Sequence, residues 1–305
     1  VDYVNLYGIR EKGSSTLHDG ALTLTKNLDV PRIGPPLDAD DTPRRDRLVV
    51  EYNTSTNPVK DGLVQDTSGR GLDGIMYTAT YDATGKEIQS NGNSGTFNNG
   101  PAGSTSNASH NDYGSFETVV PPLQGNPTYT ISGWFKQDTI AALQLPWLIG
   151  KNVRDTESPA AGQSTKMSWL GIDSGGRPRI AIGGGGNLDL YYTTGSIKAG
   201  TWYHMVVVIQ PSGASTVAGD VKFYLNGVLQ TTSSTTGSSG NINLGDGAPP
   251  RMHWFWQEKS DVYYDGCGSN FKIYDIAIAA EEVKTLYNMG RCDEGHHMVN
   301  FSKTR

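Results

Sequence analysis

Two aromatic clusters are the residues best suited to chemistry with a sugar. One is Met252-His253-Trp254-Phe255-Trp256-Gln257, followed by Tyr263, Tyr264 and Asp265; the other is Asp189-Leu190-Tyr191-Tyr192, just beyond the glycine run 183–186. The apolar face of a pyranose stacks on an exposed ring while neighbouring amides and carboxylates bond its hydroxyls. Trp254, Trp256, Tyr263, Tyr191 and Tyr192 are therefore candidate carbohydrate-binding residues. The competing reading is that alternate rings face a core. Trp254 and Trp256 would share a strand face, so burial of at least one of them is expected.

Hydrolysis of a glycosidic bond needs two facing carboxyl groups, about 5–5.5 Å apart for retention and wider for inversion. Glu117 and Glu258 read as loop residues and Glu281 and Glu282 as helix residues, so no pair is placed for that work. His204 lies inside an apolar run and reads as a hydrogen-bonded core imidazole. His296-His297 lacks a Cys or carboxylate partner at zinc spacing. No serine occupies a Gly-x-Ser-x-Gly elbow, and the glycine run lacks the Lys-Ser/Thr of a phosphate loop. Nucleophilic and nucleotide chemistry are set aside.

The elements that must carry these rings read as strands. With 38 Gly, 15 Pro and 36% hydrophobic residues in 305, the chain has many turn formers and still enough apolar side chains for a core. That combination implies short strands joined by turns. The formal net charge of -6 argues against a nucleic-acid binder, because such modules concentrate basic charge on one face. Arg44, Arg45 and Arg47 are interrupted by Asp40, Asp41 and Asp46 and read as a solvated linker. No run approaches the roughly 18 apolar residues of a membrane helix. The chain opens on Val1 without a charged-then-apolar leader, which reads as a processed product or a piece of something longer.

Residues 1–46 hold one strand candidate, 21–25, and then a Pro-rich stretch, and are expected to form an extended arm or connector. Residues 47–291 read as one domain. Within it 91–108 is a Gly/Asn/Ser loop, and 129–136 alternates as a half-buried strand. Residues 202–209 are apolar enough to be covered on both faces. Asn226-Gly227 marks a tight hairpin turn. Residues 271–275 form the last strand and 279–287 a helix, with Glu281 and Glu282 at its positive end and Gly290 as its C-terminal cap. Residues 292–305 are a tail leading to a further module or partner. Cys267 and Cys292 bracket the last strand and helix; a bridge and two inert thiols are both open. The three Asn-x-Ser/Thr sequons establish no secretory route in so Ser/Thr-rich a chain.

Five blocks, in this order, resemble the laminin-G-like members of the concanavalin A-like lectin and glucanase superfamily: 66–74 (Asp-Thr-Ser-Gly-Arg-Gly-Leu-Asp-Gly), 129–136, Trp202-Tyr203-His204, Phe223 to Gly227, and Phe271 to Tyr274 leading into Ala280-Glu281-Glu282-Val283. The resemblance implies an all-β, two-sheet antiparallel jelly roll closed by one short helix. Such sandwiches serve as lectins, adhesion modules, spacers and some glycosidases. The hydrolases among them usually carry Glu-x-Asp-x-x-Glu on one strand, a spacing this chain lacks. Relatives often bind calcium through the Asp of an Asp-x-Ser-Gly turn and acidic residues before the final strand, which here are Asp66, Ser269 and Asn270. Asp66 and Asn270 are thus the candidate metal ligands, against a purely turn-forming role for Asp66 and Asp73.

The flanking stretches are similar to modular surface and fibre-like virion proteins of large DNA viruses infecting algae. Together these features predict a non-catalytic carbohydrate-binding or adhesion module at an extracellular or virion surface. Its expected partners are glycans and other structural subunits in an oligomeric assembly, with no nucleic acid and no membrane span. The alternatives are a structural spacer or capsid and fibre component, and, less favoured, a glycoside hydrolase.

Overall fold

The computed structural model describes residues 15–18, 21–24, 42–77, 79–90, 115–140, 142–150, 167–183, 188–240, 250–257 and 262–290. The glycine run 184–186, the loop 91–108, Glu258, His296-His297 and the tail 292–305 lie outside them. Among the described residues the chain is all-β with a single α-helix, the short C-terminal segment Ala280–Gly290. A small antiparallel hairpin, Ser15–His18 with Ala21–Leu24, precedes the main body.

Two antiparallel sheets make that body. Across the first, in spatial order, run Val228–Leu229, Val221–Leu225, Trp202–Ile209, Tyr129–Gln137, Gly266–Tyr274, Glu87–Gln89 and Thr80–Asp82, with Leu48–Tyr52 also on Gly266–Tyr274. Across the second run Ser234–Thr236, Leu188–Tyr191, Pro178–Ile182, Met167–Ile172, Gln144–Gly150, Arg251–Trp254, Ser115–Val119, Gly74–Tyr77, Leu63–Val64 and Val59–Lys60. Their inner faces interdigitate in one apolar core, as sandwich layers do. At its centre Phe271 of the first sheet meets Trp254 (ring centroids 4.7 Å) and Phe116 (5.2 Å) of the second.

Asn226 and Gly227 have φ of 52° and 76°, the positive pair that a primed hairpin turn needs. The turn is also anchored: the His204 N–H donates to Asn226 Oδ1 and the Asn226 N–H to the His204 carbonyl. Residues 202–209 are covered on both faces, as their composition implies. The strand Tyr129–Gln137 is more buried than its alternation suggests. Thr130, Ser132 and Trp134, expected at a wetter face, are 0%, 1% and 4% exposed. The reason is the helix, whose Val283 and Leu286 pack with Val206, Val208 and Tyr274 on the outside of the first sheet. A solvent-facing stripe therefore becomes a second, smaller core.

The helix begins as its acidic first turn implies: Glu282 Oε2 accepts the Ala279 N–H at 2.6 Å. It runs farther than its pattern indicates, and Gly290 is its last residue rather than a left-handed cap. A Cβ there would overlap the Trp134 indole, so close approach explains the glycine.

Candidate functional site

The turn 66–74 is a hydrogen-bonded plug. Asp66 Oδ1 accepts the N–H groups of Glu51 and Ser68, and Oδ2 accepts the Ser68 hydroxyl and the Leu72 N–H, all at 2.8–2.9 Å. Asp73 Oδ1 in turn accepts the Asp66 N–H. Four accepted bonds occupy the Asp66 carboxylate, as the turn-forming reading requires. Asn270 is not in a loop before the final strand but inside it, at a φ of 52°, where the register between Ser132 and Trp134 slips by a residue. It is a bulge residue, a position where Asn tolerates the left-handed conformation. Its N–H and the Ser269 hydroxyl engage Thr54 Oγ1 in the interior. In this structure the Asp66 carboxylate is committed to the turn, and Asn270 occupies the bulge. Among the described residues no three His, Cys, Asp or Glu side chains gather for a metal.

Cys267 is a free, buried thiol on the same strand; Cys292 lies outside the described residues. Burial, and then the Glu87 carboxylate, push the thiol far above its usual range. His204 is 2% exposed and bonded through Nε2 to Ser132 Oγ at 2.9 Å, a core imidazole as expected. Burial and the nearby Lys272 ammonium hold its pKa down to about 3.

The aromatic candidates divide sharply. Trp254 is fully buried, stacked near Phe116 and Phe135, and cannot offer a ring to a ligand. Tyr192 is 2% exposed and packs on Phe223. Both are corrections to the sugar-platform expectation, and the cause is strand alternation: each points between the sheets. Trp256 and Tyr263 face each other across a two-residue ladder, and nothing is described of their side chains. Tyr191, one position from the buried Tyr192, emerges on the outside of the ten-stranded sheet.

That outer face carries a row built from strands distant in sequence. Pairing aligns Leu63, Ile75, Glu117, His253, Leu148, Trp169, Ala181, Asp189 and Thr236 side by side. Glu117 is thus a strand residue, not the loop residue its Gly/Asn-rich approach suggests. It is 1% exposed and accepts the Tyr77 hydroxyl at 3.0 Å. Arg251 Nη1 and His253 Nε2 each stand 3.5 Å from its carboxylate.

Toward the other end lies a ladder of rings and guanidinium groups. Trp169 is half-buried and lies over Gly171, where a Cβ would come within 2.7 Å of the Trp169 ring. The Arg179 guanidinium stands 4.9 Å from the Trp169 ring and 5.1 Å from the Tyr191 ring, and that of Arg177 stands 4.5 Å from Tyr191. Cation–π attraction of this kind orders both partners. Each arginine also has a counter-ion: Arg179 Nη2 to Asp189 Oδ2 at 2.8 Å, and Arg177 Nε to Asp173 Oδ2 at 2.7 Å. The ladder is part-exposed, and each of its arginines is paired with a carboxylate. Trp169 and Arg179 escaped notice in the sequence, although Trp169-Leu170-Gly171-Ile172 alternates in a way that could have separated ring from core.

Two stacked antiparallel layers define a jelly-roll sandwich. The laminin G model of the concanavalin A-like lectin/glucanases superfamily matches residues 107–284, and the chain belongs to that superfamily. No curated protein matches the sequence. Among solved structures, the receptor binding domain of botulinum neurotoxin type G is similar over 80% of this chain and 51% of its own (TM-score 0.50, 12% identity). Trypanosoma rangeli sialidase is similar over 82% of this chain and 34% of its own (TM-score 0.52, 16% identity). A botulinum neurotoxin DC binding domain, solved with rat synaptotagmin II, matches over 80% and 52% (TM-score 0.52, 12% identity). The chain spans only a third to a half of these proteins, and the likeness shows the fold alone. Among the described residues no helix is long and apolar enough to cross a membrane.

Proposed function

We propose that this chain is a non-catalytic carbohydrate-binding module displayed at an extracellular or virion surface, and that its binding face is the Trp169–Arg179–Tyr191 ladder. The observation that carries this reading is the half-buried Trp169 ring laid over Gly171 beside a fixed guanidinium. An amphipathic ring next to oriented polar groups is what stacking and hydroxyl recognition together need. The superfamily assignment supports a binding role, and so do neighbours that are binding domains, one of them solved with rat synaptotagmin II.

Glu117 is engaged by the Tyr77 phenol and stands 3.5 Å from the Arg251 guanidinium and the His253 imidazole. The test is a glycan array probed with the chain and with Trp169→Ala. Binding lost in the variant with melting temperature retained supports the reading. Silence of the parent chain across the array leaves the spacer or subunit-contact role, and release of reducing sugar from any polysaccharide returns the enzyme reading.

A further inference from the structure

We infer that the ladder selects a neutral, hydroxyl-bearing sugar over a carboxylated or sulfated one; this rests on the carbohydrate-binding reading above. The selectivity element is the ion pair between Arg179 and Asp189. A guanidinium and a carboxylate can meet through two parallel hydrogen bonds. Here only one forms, Nη2 to Oδ2 at 2.8 Å. Arg179 Nε and Asp189 Oδ1 are both buried and both lack a hydrogen-bond partner.

A donor and an acceptor thus lie unsatisfied within one ion pair and closed off from solvent, with Asp189 only 7% exposed. Leaving both unsatisfied is costly, so the arrangement fits a group that accepts from one and donates to the other. A hydroxyl does both, whereas a carboxylate or sulfate only accepts and would meet Asp189 as a like charge. The surroundings agree with a pyranose: the Trp169 ring lies beside the pair, and the exposed hydroxyls of Ser234 and Thr236 stand on the neighbouring strand. Because both atoms are closed to solvent in this structure, the part-exposed Arg179 side chain must move aside along the Trp169 ring when the hydroxyl binds. Because each arginine already has its aspartate, no net positive charge remains to favour an anionic glycan.

The test compares neutral hexosides and N-acetylhexosaminides with uronic, sialic and sulfated sugars on an array, at about 0.15 and about 0.5 M salt. The expected result is a preference for neutral sugars that salt leaves unchanged. Arg179→Lys and Asp189→Asn should each weaken binding by at least about tenfold, the scale of a hydrogen bond to a charged group. Melting temperature monitors the fold; if Asp189→Asn fails to fold, the part-exposed Arg179→Lys decides alone. Preference for acidic sugars with steep salt dependence overturns the inference while leaving the binding reading intact. So does loss of binding in Trp169→Ala with none in the ion-pair variants, which means that the ion pair takes no part in recognition. Absence of any binding removes both.

Discussion

Gly290, the last residue of the helix, rests directly against the indole of Trp134, with no room for a Cβ between them. Tyr287, one turn earlier, stacks on the same indole at 5.6 Å and reaches the Asn226-Gly227 turn with its other side. Helix, hairpin turn and central strand are therefore locked at one point. Gly290→Ala should destabilise the fold by about 1–3 kcal/mol, the usual cost of overpacking. Urea unfolding of parent and variant measures this; equal midpoints would mean that the helix end is not seated there.

Trp254→Ala and Trp169→Ala should behave as opposites. The first empties a fully buried site among Phe116, Phe135 and Phe271 and should cost about 3–5 kcal/mol of stability. The second removes a half-buried ring and should cost about 1 kcal/mol while abolishing glycan binding. Denaturation paired with array binding separates them, and a large stability loss in Trp169→Ala would return that ring to a packing role.

His204 should make stability fall with acid. Its folded pKa is held down to about 3 from 6.5 by burial and then by Lys272. Between those values the unfolded chain takes up a proton that the folded chain refuses, so stability is complete above about pH 6.5 and declines as pH drops toward 3. Glu51 adds to the loss below its ordinary value of 4.5. Burial pushes that carboxyl up, but Lys272, Thr67 and Arg45 together hold it lower. In urea unfolding between pH 7 and 5, His204→Gln should show a flatter dependence than the parent. Parallel slopes would mean that His204 titrates alike in both states.

Cys267 should be inert until the protein unfolds. The thiol is 2% exposed, and burial disfavours its thiolate. Native alkylation should leave it unmodified, and alkylation in denaturant should label it without reductant. A peptide that is labelled only after reduction would restore the bridge to Cys292.

Much of the architecture was legible because it depends on local rules. Positive φ at Asn226 and Gly227, the both-faced burial of 202–209 and the acidic start of the helix follow from conformational preference and side-chain period. Other features needed partners far along the chain. Alternation shows that Trp254 and Tyr191 sit on definite faces of their strands, but not which face meets the opposing sheet. Thr130, Ser132 and Trp134 were expected to be wetter because nothing within 129–136 announces a helix arriving from 150 residues away to cover them.

By itself the sequence determined short strands joined by turns and one helix, because strand period, turn residues and helix ends are written within a few residues of each other; the two-sheet sandwich was what the family resemblance implied. Only the tertiary structure decided that Trp169, Arg179, Asp189 and Tyr191 share a surface while Trp254 and Tyr192 are core. It also made Asp66 a turn plug and Asn270 a bulge. The physical reason is that sheet register aligns residues from non-adjacent strands, and a shift of one residue exchanges the buried and exposed sets.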